Sequence, residues 1–182
     1  MKKLDIILQN KRIQKASKYI RKGDDILDIG SVNGVMFDKL NDLIGGGTGI
    51  DPTLKEEVKT KNYHLIPGFF PDVVPTGKKF DAITMLAVLE HIPLDKQKIL
   101  VENCWKYLNH KGRVIITVPS PAVDYVLSVL LFFKLVDGMA LQEHYGYEAK
   151  DTDKLFEGKY FKMIHHSTFQ LGLNHLFVFE KI

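Results

Sequence analysis

Short apolar runs alternate with amphipathic stretches along most of the chain. The runs DILDIG (25–30), GTGID (47–51), YHLIPG (63–68), FDAITML (80–86) and GRVIITVPS (112–120) have strand length and are bounded by glycine, proline or polar residues. Helical spacing falls between them, over Val35–Leu43, weakly around Leu54–Thr60, and strongly over Leu94–Leu108. In the last stretch Ile99, Leu100, Cys104, Tyr107 and Leu108 recur near the helical repeat, and LNHKG offers Gly112 as the stop. Strands alternating with helices predict an α/β fold: a Rossmann-like, doubly wound, mostly parallel sheet covered on both faces. The rhythm changes in the last third. YFKMIHHSTFQLGLNHLFVFEK reads as two strands joined at QLGLNH, and so tight a connection predicts an antiparallel hairpin. About seven strands are expected in all.

Composition narrows the setting. A chain of 182 residues with 45% hydrophobic content can build one core, and no repeat or linker divides it, so residues 1–182 are expected to form a single domain. The lone Cys104 excludes an internal disulfide or a cysteine-rich metal site and fits a reducing, cytoplasmic setting. The apolar part of MKKLDIILQNKRIQ is too short and interrupted for a signal peptide, and no run reaches the ~20 apolar residues of a membrane span. Residues 1–22 carry eight Lys or Arg against Asp5, a sum of +7, so the rest carries −4 of the net +3. Lys11, Lys15, Lys18 and Lys22 follow one face of a helix while Ile13, Ala16 and Ile20 mark another. Two readings follow: a docked helix with a solvated basic side, or an electrostatic contact with an anionic substrate or lipid head group. The absence of an aromatic-rich nucleic-acid motif argues against nucleic acid as the partner.

In open parallel sheets ligands bind beyond the carboxyl ends of the strands. Candidate groups fall at those ends. Asp28, Gly30, Ser31, Asn33 and Gly34 follow the first strand; the glycines permit positive φ and close approach, and a helix start offers backbone N–H donors. Asp51 and Pro52 follow the second strand, at the spacing of an acid that accepts both hydroxyls of a ribose. Gly68 and Phe69 follow the third, and Met85 and Leu86 open MLAVLEHI after the fourth. Each piece alone also has a plain structural explanation, as a turn or a cap. The order and spacing together carry the argument.

With these residues in place, the chain resembles the class I S-adenosylmethionine-dependent methyltransferases, on the small-molecule and lipid-modifying side. ILDIGSVNG is similar to the family's first motif, GTGIDP to the second, FDAITMLAVLEHI to the fourth-strand motif, LNHKGRVIITVPS to the fifth-strand region and QLGLNHLFVFEK to the closing hairpin. The resemblance implies S-adenosyl-L-methionine as cofactor and S-adenosyl-L-homocysteine as product. It places Asp28 near the methionine amino group, the Gly30–Gly34 loop with Ser31 and Asn33 along the methionine part and ribose edge, and Asp51 on the ribose hydroxyls. Pro52 and the Gly68–Phe69 corner fall at the adenine, and Met85 and Leu86 at the sulfonium floor. One departure stands out: Val32 occupies the middle glycine position, and a β-branched residue resists positive φ. The acidic or amide partner usual at the adenine is also missing.

Methyl transfer chiefly requires alignment, with a general base only where the acceptor keeps its proton. His91, beside Glu90, and His144, in QEHYGY, are the candidate bases, each with a structural role as the alternative. No carboxylate–histidine cluster has metal-ligand spacing, so no metal is expected. The apolar stretch Ala122–Val136, inside an expected substrate-covering insertion at 120–150, reads as a core helix or as a lid over an apolar pocket. Combined with the basic helix it permits an amphiphilic acceptor and a peripheral membrane contact. Methyl transfer to an O- or N-nucleophile of a small-molecule or lipid-like acceptor is the leading expectation. A methyltransferase-fold scaffold without turnover is the alternative, and a nicotinamide-dependent oxidoreductase ranks last, since GSVNG lacks the G-x-G-x-x-G turn. Oligomeric state leaves no sequence signal.

Overall fold

The computed structural model describes residues 3–120 and 149–182. Its elements in chain order are α1 (Lys3–Ala16) running into a 3-10 turn (Ser17–Tyr19), β1 (Asp25–Ile29), α2 (Val35–Leu40), β2 (Gly46–Asp51), β3 (Val58–Lys59) and β4 (Tyr63–Pro67). There follow β5 (Phe80–Leu86), a 3-10 turn (Leu89–His91), α3 (Leu94–Tyr107), β6 (Leu108–Pro119), α4 (Asp151–Phe156), β7 (Phe161–Phe169) and β8 (Asn174–Lys181). The strands form one eight-stranded sheet in the order β3-β4-β2-β1-β5-β6-β8-β7. The run β4-β2-β1-β5-β6 is parallel; β8 pairs antiparallel with β6 and with β7, and β3 antiparallel with β4.

The doubly wound reading follows from burial on both faces of the central strands. In β1, Leu27 and Ile29 join a core with Ile83, Met85, Val114, Ile116, Phe177 and Phe179, which α3 and α4 close with Leu100, Val101, Cys104 and Phe156. Ile26 turns to the opposite core with Ala82, Ile115, Leu176 and Val178, closed by Ile13 and Ala16 of α1, Ile20 just after the 3-10 turn, and Met36, Phe37 and Leu40 of α2. A strand buried on both sides needs apolar residues nearly throughout, and DILDI supplies them, apart from its two acids.

Two local expectations differ from the structure. The stretch Leu54–Thr60 forms no helix; its Val58–Lys59 pairs antiparallel with Leu65 and His64, adding a two-residue edge strand and bringing the total to eight. Local propensity was weak there, and the free edge of β4 offered ladder partners. At LNHKG, α3 ends at Tyr107 and β6 begins at once at Leu108; the left-handed residue is Lys111 (φ 56), not Gly112. Glycine is required at 112 for space, since a Cβ there would lie 2.9 Å from the Asn109 carbonyl oxygen.

Candidate functional site at the carboxyl ends of β1, β2 and β5

β1 leaves the sheet at Ile29 and turns at Gly30 (φ 88); Gly34 (φ 68, ψ 2) then starts α2 from the left-handed region. Between them the loop is pinned to β2, with the Gly30 N–H donating to Ile50 O at 2.9 Å and Ser31 N–H to the same oxygen at 3.3 Å. Both glycines are also needed for space: a Cβ at 30 would lie 2.4 Å from Val88 Cγ2, and one at 34 would lie 2.9 Å from the Tyr63 ring. Val32 needs no such exemption. Its φ is not positive, its N–H donates to Gly30 O at 3.1 Å, and its side chain stands 58% exposed. The missing middle glycine therefore causes no backbone strain.

Two carboxylates sit beside this loop. Asp28 is buried, and Thr84 Oγ1 of the neighbouring strand donates to its Oδ1 at 2.6 Å. Burial pushes Asp28 up to about 6, hydrogen bonds from Thr84 and Ser31 oppose the rise, and the nearby Asp51 adds to it. Asp51, also buried, ends β2; Thr53 donates to its Oδ1 from both the backbone N–H (2.7 Å) and the hydroxyl (2.5 Å), which fixes the carboxylate's orientation. The Gly68 N–H, at φ 139, donates to Asp51 O at 3.2 Å and ties the end of β4 to the same corner. Buried acids are thus bordered by the exposed side chains of Asn33, Pro52 and Phe69; Phe69 is 67% exposed, a large amount for an aromatic.

The remaining expected residues are placed as follows. Met85 is wholly buried in the α3-side core, and Leu86 is half-buried on the α1–α2 side. Ser31 is buried, and its side chain hydrogen-bonds the Asp28 carboxylate. His91 is exposed at the end of the 3-10 turn after β5, while Glu90 beside it is 2% exposed and pushed up to about 7 by burial. His144 and the Ala122–Val136 stretch lie outside the described residues. His110 sits near the amino end of β6, away from the carboxyl-end corner. Among the described residues no group of three or more His, Cys, Asp and Glu could hold a metal ion.

Several residues of the site were missed in the sequence. Thr84 interrupts an apolar strand, and a buried hydroxyl there calls for a partner; that was the signal for its bond to Asp28. Ala87 takes φ 61 directly after β5, an uncommon conformation for a residue with a Cβ, and swings Val88 over Gly30. Arg12 of α1 reaches the charge field of Glu90, although the basic face of that helix had been read from its lysines alone. An open cleft of about 510 Å³ lined by Val74, Lys78, Lys79, Lys106 and Tyr107 lies at the opposite edge, by the amino ends of β5 and β6.

Comparison with known proteins agrees with this geometry. A family model described as a methyltransferase domain matches residues 6–169. No curated protein matches the chain in sequence. Among solved structures, the N-methyltransferase NodS of Bradyrhizobium japonicum in complex with S-adenosyl-L-homocysteine superimposes with a TM-score of 0.69 at 14% identity, covering 96% of this chain and 87% of that one. Magnesium protoporphyrin IX methyltransferase of Synechocystis, also with bound S-adenosyl-L-homocysteine, gives 0.62 at 13% identity, covering 97% and 82%. The YcgJ protein of Bacillus subtilis gives 0.67 at 14%, covering 94% and 98%. At these identities the likeness is one of fold.

Proposed function

The chain belongs to the methyltransferase-domain family and is an S-adenosylmethionine-dependent methyltransferase, and from that premise we propose that it methylates an oxygen or nitrogen of a small-molecule or lipid-like acceptor. The observation that carries the cofactor's place is the pair of buried carboxylates, Asp28 and Asp51, on either side of the Gly30–Gly34 turn. The residues present fit the group. A buried acid held as high as Asp28 favours a cation beside it, which the methionyl ammonium provides. Asp51, oriented by Thr53 through one oxygen, keeps acceptor capacity for ribose hydroxyls. Exposed Phe69 and Pro52 offer apolar surface for the adenine. Loop glycines 30 and 34 would let the backbone approach closely.

Bound S-adenosylmethionine supplies a methyl carbon already activated on sulfonium, so the protein's contribution is largely orientation. The carboxylates and the loop hold the donor end. His91, exposed beside the carboxyl end of β5, is our candidate to take a proton from a hydroxyl acceptor; a neutral amine would not need it. The magnesium protoporphyrin IX methyltransferase acts, by its name, on a small molecule, and NodS is by its name an N-methyltransferase, which supports a small-molecule acceptor here. The basic α1 and the apolar sequence Ala122–Val136 favour one with an apolar body and an anionic head.

Calorimetry with S-adenosylmethionine tests the donor site; absence of heat at millimolar cofactor overturns the reading. Asp51→Ala is expected to weaken binding by at least about 30-fold, the loss of hydrogen bonds to a charged acceptor, and to erase the cofactor's thermal shift. Radiolabelled methyl transfer to lipid extracts and to polar metabolites then addresses the acceptor. Label confined to the polar fraction would exclude the lipid-like alternative, and binding without transfer to any acceptor would favour a scaffold.

A further inference from the structure

The parallel strands point their carboxyl ends at one edge of the molecule, and α1 runs against them toward that edge. It feeds through the 3-10 turn into the amino end of β1, so its first turns lie at the carboxyl edge. Two contacts fix the direction. Arg12 lies in the field of Glu90, beyond the end of β5, and Lys15 Nζ stands 5.9 Å from the centroid of the Phe169 ring, at the end of β7. β7 is antiparallel to β8 and β8 to β6, so the end of β7 and the turn that follows belong to the same edge. Large apolar side chains are exposed along it: Ile6 and Ile7 on the first turns of α1, Val32 on the glycine turn, and Leu171 between β7 and β8.

Leu171 is the most informative of these. It is wholly exposed, yet it takes φ 58 between Gln170 (φ 53) and Gly172 (φ 83), a left-handed run that suits asparagine or glycine. A leucine there accepts backbone strain and gains no burial within the chain. The turn is closed without its side chain: the Leu173 N–H donates to Gln170 O at 3.1 Å, and Asn174 Nδ2 donates to Gln170 Oε1 at 2.6 Å. Ile6 and Ile7 likewise stand outside the core that docks α1 through Ile13 and Ala16.

Charge identifies the occupant of this edge. Residues 1–22 sum to +7, and their one acid, Asp5, lies in the field of Arg12. Lys11 follows Ile7 by four residues and Lys15 by eight, about 6 and 12 Å along the helix axis. The polar head-group layer of a bilayer is about 5–7 Å deep, so apolar tips at the acyl boundary put Lys11 among the head groups. Lys15 then lies about 6 Å behind, within the ~8 Å Debye length at physiological salt. A second copy of the chain docked through the same patch would set these lysines against one another, whereas an anionic lipid surface attracts them.

We propose that this edge is a membrane-docking face, with Ile6, Ile7 and Leu171 entering the acyl boundary of an anionic bilayer and Lys11 and Lys15 binding its phosphate head groups. Val32 borders the same surface, so the candidate cofactor site opens toward the lipid. The inference builds on the lipid-like side of the acceptor reading and names the phase from which the acceptor is drawn.

The test is flotation of the full chain with vesicles of equal parts phosphatidylglycerol and phosphatidylcholine, against vesicles of phosphatidylcholine alone. Anionic vesicles are expected to bind at least about tenfold tighter, and Lys11→Gln combined with Lys15→Gln to lose about 25-fold, near fivefold for each lysine. Salt at about 1 M, with a Debye length of ~3 Å, should remove the difference between the two lipids. Leu171→Asn is expected to weaken binding to anionic vesicles by about 5- to 20-fold. Its urea midpoint should hold or rise, because asparagine suits the left-handed turn, so a loss of binding is not a loss of fold. No binding to anionic vesicles, or binding unchanged by Leu171→Asn, overturns the proposal. So does a wild-type dimer in sedimentation that Leu171→Asn dissolves, since the edge then receives a second copy. The acceptor reading fails separately. Vesicle binding with methyl label only in polar metabolites upholds the docking face and removes the lipid acceptor; label in detergent-dispersed lipid without vesicle binding does the reverse.

Discussion

At the scale of single residues, the site's properties come from acids placed where water cannot reach them. Asp28 carries an ordinary value of 3.8 when unfolded and about 6 when folded, so between those values the native state holds the extra proton. The neutral form is the one that folding favours. The contribution is therefore present at low pH and lost as pH rises from about 4 to about 6, by up to ~3 kcal/mol for a shift of this size. Glu90 acts in the same sense up to about 7. Asp28→Asn removes the titration. Urea unfolding without cofactor, at pH 4.5 and pH 7.5, should show the variant gaining on the wild type at the higher pH. Cofactor reverses the preference, because an ammonium beside Asp28 favours its ionised form. Wild-type affinity for S-adenosylmethionine is expected to rise between pH 5 and 7.5 with proton release, visible as heats that differ between buffers of unlike ionisation enthalpy. Heats independent of buffer would count against an ionised Asp28 in the complex.

At the scale of elements, each functional group is held by a piece of backbone buried for other reasons. β1 is apolar enough to occupy the middle of the sheet, which carries Asp28 and the Gly30 turn to a sheltered edge. β5 beside it supplies Thr84 and ends at Ala87, whose positive φ aims Val88 at Gly30. α1 depends on few apolar residues; Ile6 and Ile7 are exposed, and Ile13 and Ala16 do most of the docking. Ile13→Ala should consequently destabilise the chain by about 2–4 kcal/mol in urea unfolding. Unchanged stability would mean that the helix is undocked in solution.

At the scale of the whole molecule, the sheet's order sets a gradient of protection. β1, β5 and β6 have strands on both sides and helices over both faces, whereas β3 contributes two exposed residues at one edge. Hydrogen exchange should reach the global stability in β1, β5 and β6, and should be fastest in β3 and the adjoining 52–57 turn. Protection of Val58 equal to that of Ile83 would contradict the edge placement. The surface pairs add little to this frame. The Arg21–Glu180 contact of 3.4 Å is about half exposed on its arginine side, in the range where ion pairs contribute ~0–1 kcal/mol. Among the described residues no helix is long and apolar enough to cross a membrane.

How much of this was legible beforehand depended on how local the cause was. Five parallel strands, α3 and the closing hairpin follow from apolar periodicity and glycine boundaries, because burial on one or two faces imposes a repeat on the residues themselves. Asp28, Gly30, Gly34 and Asp51 could be located for the same reason: a turn at the end of a buried strand has few residues that fit it. Val32 could be seen as a departure but not resolved, since its φ depends on how the Gly30 turn is pinned to Ile50 on another strand. β3 was invisible because its only reason to be a strand is the free edge of β4. Arg12 left a faint trace, four residues before Ala16 on the docked face, where a lysine-bearing surface would not predict it. What joined Arg12, Glu90 and the Gly30 turn was the packing of three distant segments, and the field that sets their charges comes from burial. The sequence alone determined the strands, the turns and the two acids, since each is specified by its immediate neighbours. Only the tertiary structure decided which polar groups share a dry corner, because exclusion of water is a property of the assembled fold and of no segment by itself.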